Sequence, residues 1–193
     1  MPPRLLIITG TSGVGKSTLS AKLAFSLGFG ETAATDTVRE VLRTQFTNLE
    51  LPELHRSSFE YFSESAIDDW RETVDAVSPG VKAVIDRAKT RGSDLLLEGV
   101  HIIPSREEID AWRESGGTAI GVVLYIAEEE RHRSMIAKRE KHNGKRAEHY
   151  LDNIHRIREI QEEMVVTGTA SDWLLVDPTR KNDSSELISN IFG

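Results

Sequence analysis

Residues 10–18 read Gly10-Thr11-Ser12-Gly13-Val14-Gly15-Lys16-Ser17-Thr18 and fit the phosphate-binding pattern G-x-x-x-x-G-K-[ST]. An apolar run, Leu5 to Ile8, precedes them, and apolar residues at helical spacing follow as far as Leu27. Between a strand and a helix, the backbone N–H groups of such a loop point at phosphate oxygens. We expect Lys16 to contact the β- and γ-phosphates and the Ser17 hydroxyl to bind Mg²⁺. The pattern therefore predicts a site for ATP and Mg²⁺; a glycine-rich turn with an incidental lysine is the alternative.

The composition indicates one globular domain over residues 1–193, because 38% of the residues are hydrophobic and 28% are charged. The lack of cysteine excludes disulfides and thiolate chemistry. No apolar run approaches the roughly 20 residues of a membrane span, and the N-terminus does not read as a signal peptide. We therefore expect a cytoplasmic protein that does not bind a membrane. The formal net charge of −7 argues against nucleic acid as a partner.

Apolar runs that read as buried strands alternate with stretches of helical periodicity. Strands are predicted at Leu5 to Ile8, near Glu31 to Thr35, and at Leu95 to Leu97, Ile120 to Ile126 and Trp173 to Val176. This alternation is typical of an α/β protein with a parallel sheet covered by helices on both faces. Two segments are longer than a crossover needs. The first segment, about residues 37–79, is interrupted by Leu51-Pro52 and should form two or three helices outside the sheet, on the acceptor side. The second segment, about residues 128–167, should form a lid with a turn at Asn143-Gly144, and then the helix that follows the lid.

Asp36 lies where the second predicted strand gives way to a helix. In a parallel sheet this end of the strand lies beside the phosphate-binding loop. The carboxylate could accept the proton of an attacking hydroxyl, or hold Mg²⁺ through water. Alternatively, Thr37 and Glu40 form a capping box and Asp36 only favours the N-terminus of the helix.

Arg39 and Arg43 share one face of the same predicted helix, and Val38, Val41 and Leu42 should form its packed face. Guanidinium groups at this place suit a small anionic acceptor, Arg39 more than Arg43. Solvated arginines that pair with nearby acids are the alternative. The segment Leu51 to Ser58 adds His55 as a candidate substrate ligand, although an ordinary loop followed by a helix cap would have the same composition.

Glu98 and His101 follow the strand predicted at Leu95 to Leu97. Glu98 could organise the water shell of Mg²⁺ or contact the acceptor, and Gly99 would allow another group to approach closely. A solvated carboxylate at the rim of the sheet is the alternative. His101 is a candidate substrate ligand, or else a histidine bonded to nearby backbone. The remaining histidines are expected at the surface.

The second long segment is strongly basic, and seven of the 24 Lys and Arg residues of the chain fall between Arg131 and Arg146. A lid of this kind could close over ATP, exclude water and neutralise the transferring phosphoryl group. We favour Arg139 for a catalytic role, with Arg146 next; a solvated helix balanced by neighbouring glutamates is the alternative. Asp177-Pro178-Thr179 could border the adenine, or form a plain turn.

Together these segments resemble the 2-phosphoglycerate kinases. The resemblance rests on Thr9 to Thr18, Thr35 to Arg43, Leu54 to Ser58, Leu97 to Pro104, and Arg146 to Glu159 with its Tyr150-Leu151-Asp152-Asn153-Ile154 core. It implies a three-layer phosphate-loop fold like that of the nucleoside monophosphate kinases, with five parallel strands in the order 2-3-1-4-5. It also implies transfer of the ATP γ-phosphoryl group to the 3-hydroxyl of 2-phosphoglycerate, with Lys16 and Ser17 on ATP and Mg²⁺, Asp36 near the hydroxyl and Arg39 on the anionic acceptor.

Two other functions are compatible with the phosphate-binding loop. One is a kinase of another small acceptor, such as a nucleoside, a sugar acid or an amino-sugar derivative, because acceptor pockets diverge on a shared scaffold. The other is a nucleotide-dependent switch that binds a partner. The oligomeric state does not follow from the sequence.

Overall fold

The structure is a computed structural model of the chain and describes residues 2–142, 147–180 and 184–192. The turn expected at Asn143-Gly144 and the lid residue Arg146 lie outside these ranges. Five strands form one parallel sheet in the order β2-β3-β1-β4-β5. They are β1 Arg4–Gly10, β2 Glu31–Ala34, β3 Leu95–Gly99, β4 Thr118–Leu124 and β5 Leu174–Val176. The predicted strands and their implied order are thus confirmed.

Helices cover both faces of the sheet. They are α1 Lys16–Leu27, α2 Thr35–Arg43, α3 Ala66–Arg91, α4 Glu107–Glu114, α5 Glu129–His142, α6 Glu148–Asp152, α7 Ile154–Ala170 and α8 Ser184–Phe192, with a 3₁₀ turn at Pro52–His55. Successive side chains of β1 point to opposite faces. Leu5 and Ile7 join one core with α3, α4 and α7, whereas Leu6 and Ile8 join a second core with α1 and α8. The three-layer architecture follows from this alternation.

Helix α3 differs from the expected helical excursion, which was to end near residue 79. It runs without interruption from Ala66 to Arg91, through Pro79. Proline has no N–H to donate to the carbonyl four residues earlier. Here the Ser78 hydroxyl donates to that carbonyl, of Asp75, across 3.1 Å. The first half of α3 also packs into the core through Trp70 and Val77. The excursion expected from the sequence therefore consists of α2 and the segment between α2 and α3.

Within the described residues, none of the helices has the length and apolar character needed to cross a membrane.

Candidate active site

The phosphate-binding loop joins β1 to α1 at the centre of the sheet. Gly13 and Gly15 adopt φ angles of 86° and 92°, which other residues rarely adopt. Gly15 is the N-cap of α1, no side chain caps this helix, and its first turn has no acidic residue. The N–H groups at this end therefore have no side-chain acceptor from the protein and suit an anion.

Lys16 lies across the loop, and its Nζ donates to the Thr11 carbonyl over 2.9 Å. Burial lowers the pKa of Lys16, Glu98 and Asp36 raise it, and Arg139 lowers it. Four charged groups predicted from separate parts of the sequence therefore act on one another here. The Thr11 hydroxyl is buried and has no hydrogen-bond partner, so it remains free for a phosphate oxygen.

Ser17 and Glu98 meet beside the lysine. The Ser17 hydroxyl donates to Glu98 Oε1 over 2.9 Å. A cavity of about 340 Å³ borders this pair and extends between α1 and β2. Hydroxyl and carboxylate oxygens are ligands that Mg²⁺ accepts, directly or through water, so the residues present fit this ion.

Asp36 lies in the first turn of α2, and its side chain is 71% exposed. The capping box considered from the sequence does not form, because α2 begins after Ala34 without a side-chain cap and Glu40 bonds Arg43 over 2.9 Å. Asp36 Oδ1 lies 3.7 Å from His101 Nδ1. The carboxylate is therefore exposed and has a histidine beside it.

His101 is buried, and its Nδ1 lies 3.1 Å from the Thr35 hydroxyl. Burial lowers its pKa to about 4, Asp36 opposes this, and Arg39 and Lys16 reinforce it. The imidazole is consequently neutral at pH 7. Gly99 allows this arrangement, since a Cβ at that position would overlap the Thr35 hydroxyl.

Arg39 and Arg43 have different environments despite their shared helix face. Arg39 Nη1 donates to the Arg56 carbonyl over 3.2 Å, and Arg39 Nε is buried without a partner. The Arg39 side chain is 18% exposed and lies 3.5 Å from Glu40, whereas the Arg43 side chain is 36% exposed and pairs with Glu40 over 2.9 Å. The expectation that Val41 packs is wrong, since it is 60% exposed. The helix contacts α3 through Val38 and Leu42, which lie beside Gly80.

His55 is bonded within its own segment. Its Nε2 donates to the Phe46 carbonyl over 2.9 Å, which closes the loop between α2 and the 3₁₀ turn. This is the local role that the sequence left open as the alternative. A role for His55 in substrate binding stays a prediction.

A buried group of charged side chains contacts the segment before α3 and was not predicted from the sequence. Arg156, from α7, forms an ion pair with Asp69 of α3, and both side chains are almost fully buried. Arg156 also donates to the Phe59 carbonyl, and Asp69 accepts from the backbone N–H groups of Phe62 and Ser63. In the sequence, the signals of this ion pair were Arg156 and Asp69 themselves, as charged residues within otherwise apolar helix faces.

Arg56 was likewise not predicted individually as a functional residue, although it lies in the segment Leu51 to Ser58. It is buried, pairs with Glu72 over 2.6 Å, and stacks over the Phe62 ring at 4.4 Å. Its Nε has no partner. Because Arg39 donates to the Arg56 carbonyl, two partly unpaired guanidiniums lie on the acceptor side.

Arg139 is the lid residue for which a catalytic role is expected, and that role stays a prediction. It pairs with Glu140 over 2.6 Å and lies 4.6 Å above the Tyr150 ring, and its Nη2 is buried without a partner. Arg131 and Arg133 likewise pair with glutamates, Glu128 and Glu129, as in a solvated helix. The Asp177 carboxylate accepts from the Thr179 N–H over 2.9 Å, as in a plain turn.

His132 corrects the expectation that the remaining histidines lie at the surface. It is fully buried, and its Nε2 lies 2.8 Å from the Ser12 carbonyl. The reason is its place on the face of α5 that packs on the phosphate-binding loop. His142, His149 and His155 are exposed, as expected.

A sequence model of the family described as "AAA domain" matches residues 6–163. The chain belongs to this family. It is 32% identical to the 2-phosphoglycerate kinase of Pyrococcus furiosus over 84% of this chain and 55% of that protein. It is 29% identical to the 2-phosphoglycerate kinase of Methanocaldococcus jannaschii over 98% of this chain and 63% of that protein. The resemblance inferred from the sequence is confirmed, and the chain spans 55% to 63% of the length of these two relatives.

Solved structures support the fold of this AAA-domain chain. Shikimate kinase from Acinetobacter baumannii, solved in complex with shikimate, matches with a TM-score of 0.53 at 18% identity. The match covers 100% of this chain and 92% of that structure. At this identity the likeness concerns the arrangement of the elements.

Proposed function

We propose that the chain is an ATP-dependent kinase that transfers the γ-phosphoryl group to the 3-hydroxyl of 2-phosphoglycerate, giving 2,3-bisphosphoglycerate. The observation that carries the proposal is the Ser17–Glu98 hydrogen bond beside Lys16, with Asp36 and Arg139 near enough to act on the charge of Lys16. A loop that only binds a nucleotide needs neither a carboxylate on the acceptor side nor an arginine from a separate helix. The name of the relatives supports 2-phosphoglycerate as the acceptor.

On the donor side, the loop N–H groups and Lys16 would bind the phosphates of ATP. Ser17, with Glu98 and Asp36 acting through water, would hold Mg²⁺, which would supply positive charge to offset that of the ATP phosphates. Arg139 Nη2 would neutralise charge on the transferring group. In the reaction the acceptor oxygen forms a bond to the γ-phosphorus, and the bond from this phosphorus to the β,γ-bridging oxygen breaks, releasing ADP.

On the acceptor side, Asp36 would receive the proton of the 3-hydroxyl or orient a water of the metal shell. Neutral His101 would leave the negative charge of Asp36 uncompensated and could bond the substrate through its unpartnered Nε2. 2-Phosphoglycerate has a carboxylate and a phosphate. Arg39 supplies one cation for these groups, and the nearby Arg56 supplies a second.

The test is an acceptor screen with ATP and Mg²⁺, in which the product is identified by phosphorus NMR. The expected product carries a new phosphate ester on the 3-oxygen of 2-phosphoglycerate, and the ADP released equals it in amount. Lys16→Ala should abolish transfer, whereas Lys22→Ala, an exposed lysine on the same helix, should retain it. Phosphorylation of a nucleoside or a sugar acid but not of 2-phosphoglycerate would overturn the acceptor. ATP hydrolysis stimulated only by a macromolecule would indicate a switch.

A further inference from the structure

One face of α5 lies along the phosphate-binding loop. His132, Met135, Ile136 and Arg139 follow one another at helical spacing on this face. A Cβ on Gly13 would overlap Ile136 and would lie 3.6 Å from the His132 ring, and a Cβ on Gly15 would lie 3.7 Å from Met135. The helix therefore touches the loop backbone itself, with no intervening side chain at Gly13.

The hydrogen bond between His132 and the loop has a defined direction, with His132 as the donor. A carbonyl can only accept, so the 2.8 Å contact between His132 Nε2 and the Ser12 oxygen requires a proton on Nε2. The Nδ1 atom of the same ring is buried without a partner. Burial also lowers the pKa of His132, so the ring is neutral and Nδ1 holds a lone pair. His132 is thus fixed in one tautomer by the loop that it contacts.

The direction of this hydrogen bond determines where the next loop N–H points. In a trans peptide the C=O of one residue and the N–H of the next point in opposite directions. Turning the Ser12 carbonyl toward α5 therefore turns the Gly13 N–H away from α5, into the concave side of the loop. That side is where Lys16 bonds the Thr11 carbonyl and where phosphates would bind.

We propose that His132 is a positioning residue that holds the Ser12–Gly13 peptide in its phosphate-binding orientation and fixes Arg139, two turns further along α5, relative to the loop. This rests on the proposed use of ATP but not on the identity of the acceptor. In this role α5 forms a wall of the phosphate site through its contacts with the loop.

The test compares the affinity for ATP and Mg²⁺ in variants of the whole chain, measured by calorimetry without acceptor. His132→Leu removes the donor and leaves the partly buried Ser12 carbonyl unpaired, so affinity should fall about tenfold. His132→Gln offers an amide N–H at similar reach and should stay within about threefold of the wild type. Trp112→Phe is the matched control. It removes another ring N–H bond to a backbone carbonyl, that of Pro3 over 3.0 Å, at the opposite end of β1.

Trp112→Phe should lower the melting temperature and leave ATP affinity unchanged. Equal loss of affinity in His132→Leu and His132→Gln, or no greater loss than in Trp112→Phe, overturns the proposal. The tautomer of the wild type gives a measurement that needs no variant. ¹⁵N-histidine NMR should show a proton on Nε2 of His132, free and with ATP, and a proton on Nδ1 alone overturns the proposal. A chain that binds ATP but does not phosphorylate 2-phosphoglycerate overturns only the proposed function, whereas a chain that binds no ATP overturns both.

Discussion

The Ser17 hydroxyl donates a 2.9 Å hydrogen bond to the Glu98 carboxylate, although the two residues lie 81 positions apart. The pairing of β1 with β3 sets Glu98 opposite Ile8, at the strand end from which the phosphate-binding loop leaves the sheet. The bond uses the hydroxyl proton and leaves the oxygen lone pairs available. Ser17 can therefore bind a metal ion while it keeps its bond to Glu98.

Ser17→Ala and Glu98→Gln should each raise the Mg²⁺ concentration for half-maximal activity by about tenfold, because each weakens one shared oxygen site. The double variant should show less than the product of the two effects, since both changes remove the same interaction. Activity titrated with Mg²⁺ at saturating ATP measures this. Ser26→Ala, on the same helix, removes a 3.4 Å bond to a backbone carbonyl and should change nothing. Independent, multiplying effects would contradict a shared site.

Asp36→Asn should lower kcat by about 10²- to 10³-fold and leave the KM for ATP nearly unchanged, because the amide cannot accept the substrate proton. Steady-state kinetics provide the measurement. Asp68→Asn is the control, since Asp68 is also an exposed carboxylate in the first turn of a helix. If both variants lose a little stability and neither loses turnover, Asp36 only favours the N-terminus of α2.

Arg39→Ala should raise the KM for the acceptor by roughly 10- to 100-fold through the loss of a charged hydrogen bond, without changing the KM for ATP. Arg43→Ala, four residues further along the same helix, should stay within about twofold, because solvent-exposed pairs such as Arg43 and Glu40 contribute little. The two variants are compared by varying each substrate in turn. An equal effect in both would show that the helix face acts through its general positive charge.

His101 should make the free energy of unfolding depend on pH. Its pKa is about 4 in the folded protein and about 6.5 when unfolded, so the unfolded chain binds the proton first as pH falls. Stability present above pH 6.5 is lost progressively down to pH 4, and the loss from pH 7 to pH 5 should be about 2 kcal/mol. Urea unfolding of the wild type and of His101→Gln measures the difference. His155→Gln, an exposed histidine, should behave like the wild type.

The local features of the chain were predictable from the sequence. Short apolar runs predicted four of the strands, a further short strand was predicted near Glu31 to Thr35, and the glycine pattern predicted the loop and its helix. Pro79 shows the limit of local rules, because proline usually ends a helix. Here the neighbouring Ser78 hydroxyl replaces the missing donor. A rule that considers only the proline cannot anticipate this.

Contacts between distant segments were not predictable in the same way. Helical spacing places His132 and Ile136 on one face but does not say which element that face meets. Burial of the ion pair between Asp69 and Arg156 likewise depends on the packing of α3 against α7. By contrast, Asp36 and Glu98 could be placed near the loop from topology alone, because parallel strands end at the same edge of the sheet.

The strand order has a consequence for protein engineering. The central strand β1 leads into the phosphate-binding loop. On one side β2 leads into Asp36 and β3 carries Glu98 near its end, and on the other side β4 leads into α5. Under the proposed function, a library confined to residues 37–65, which follow Asp36, would therefore vary acceptor preference while the residues proposed for the donor half keep their sequence. Libraries in α5 would do the reverse. If the proposed function holds, the fold thus places most residues of the two specificities in separate stretches of chain.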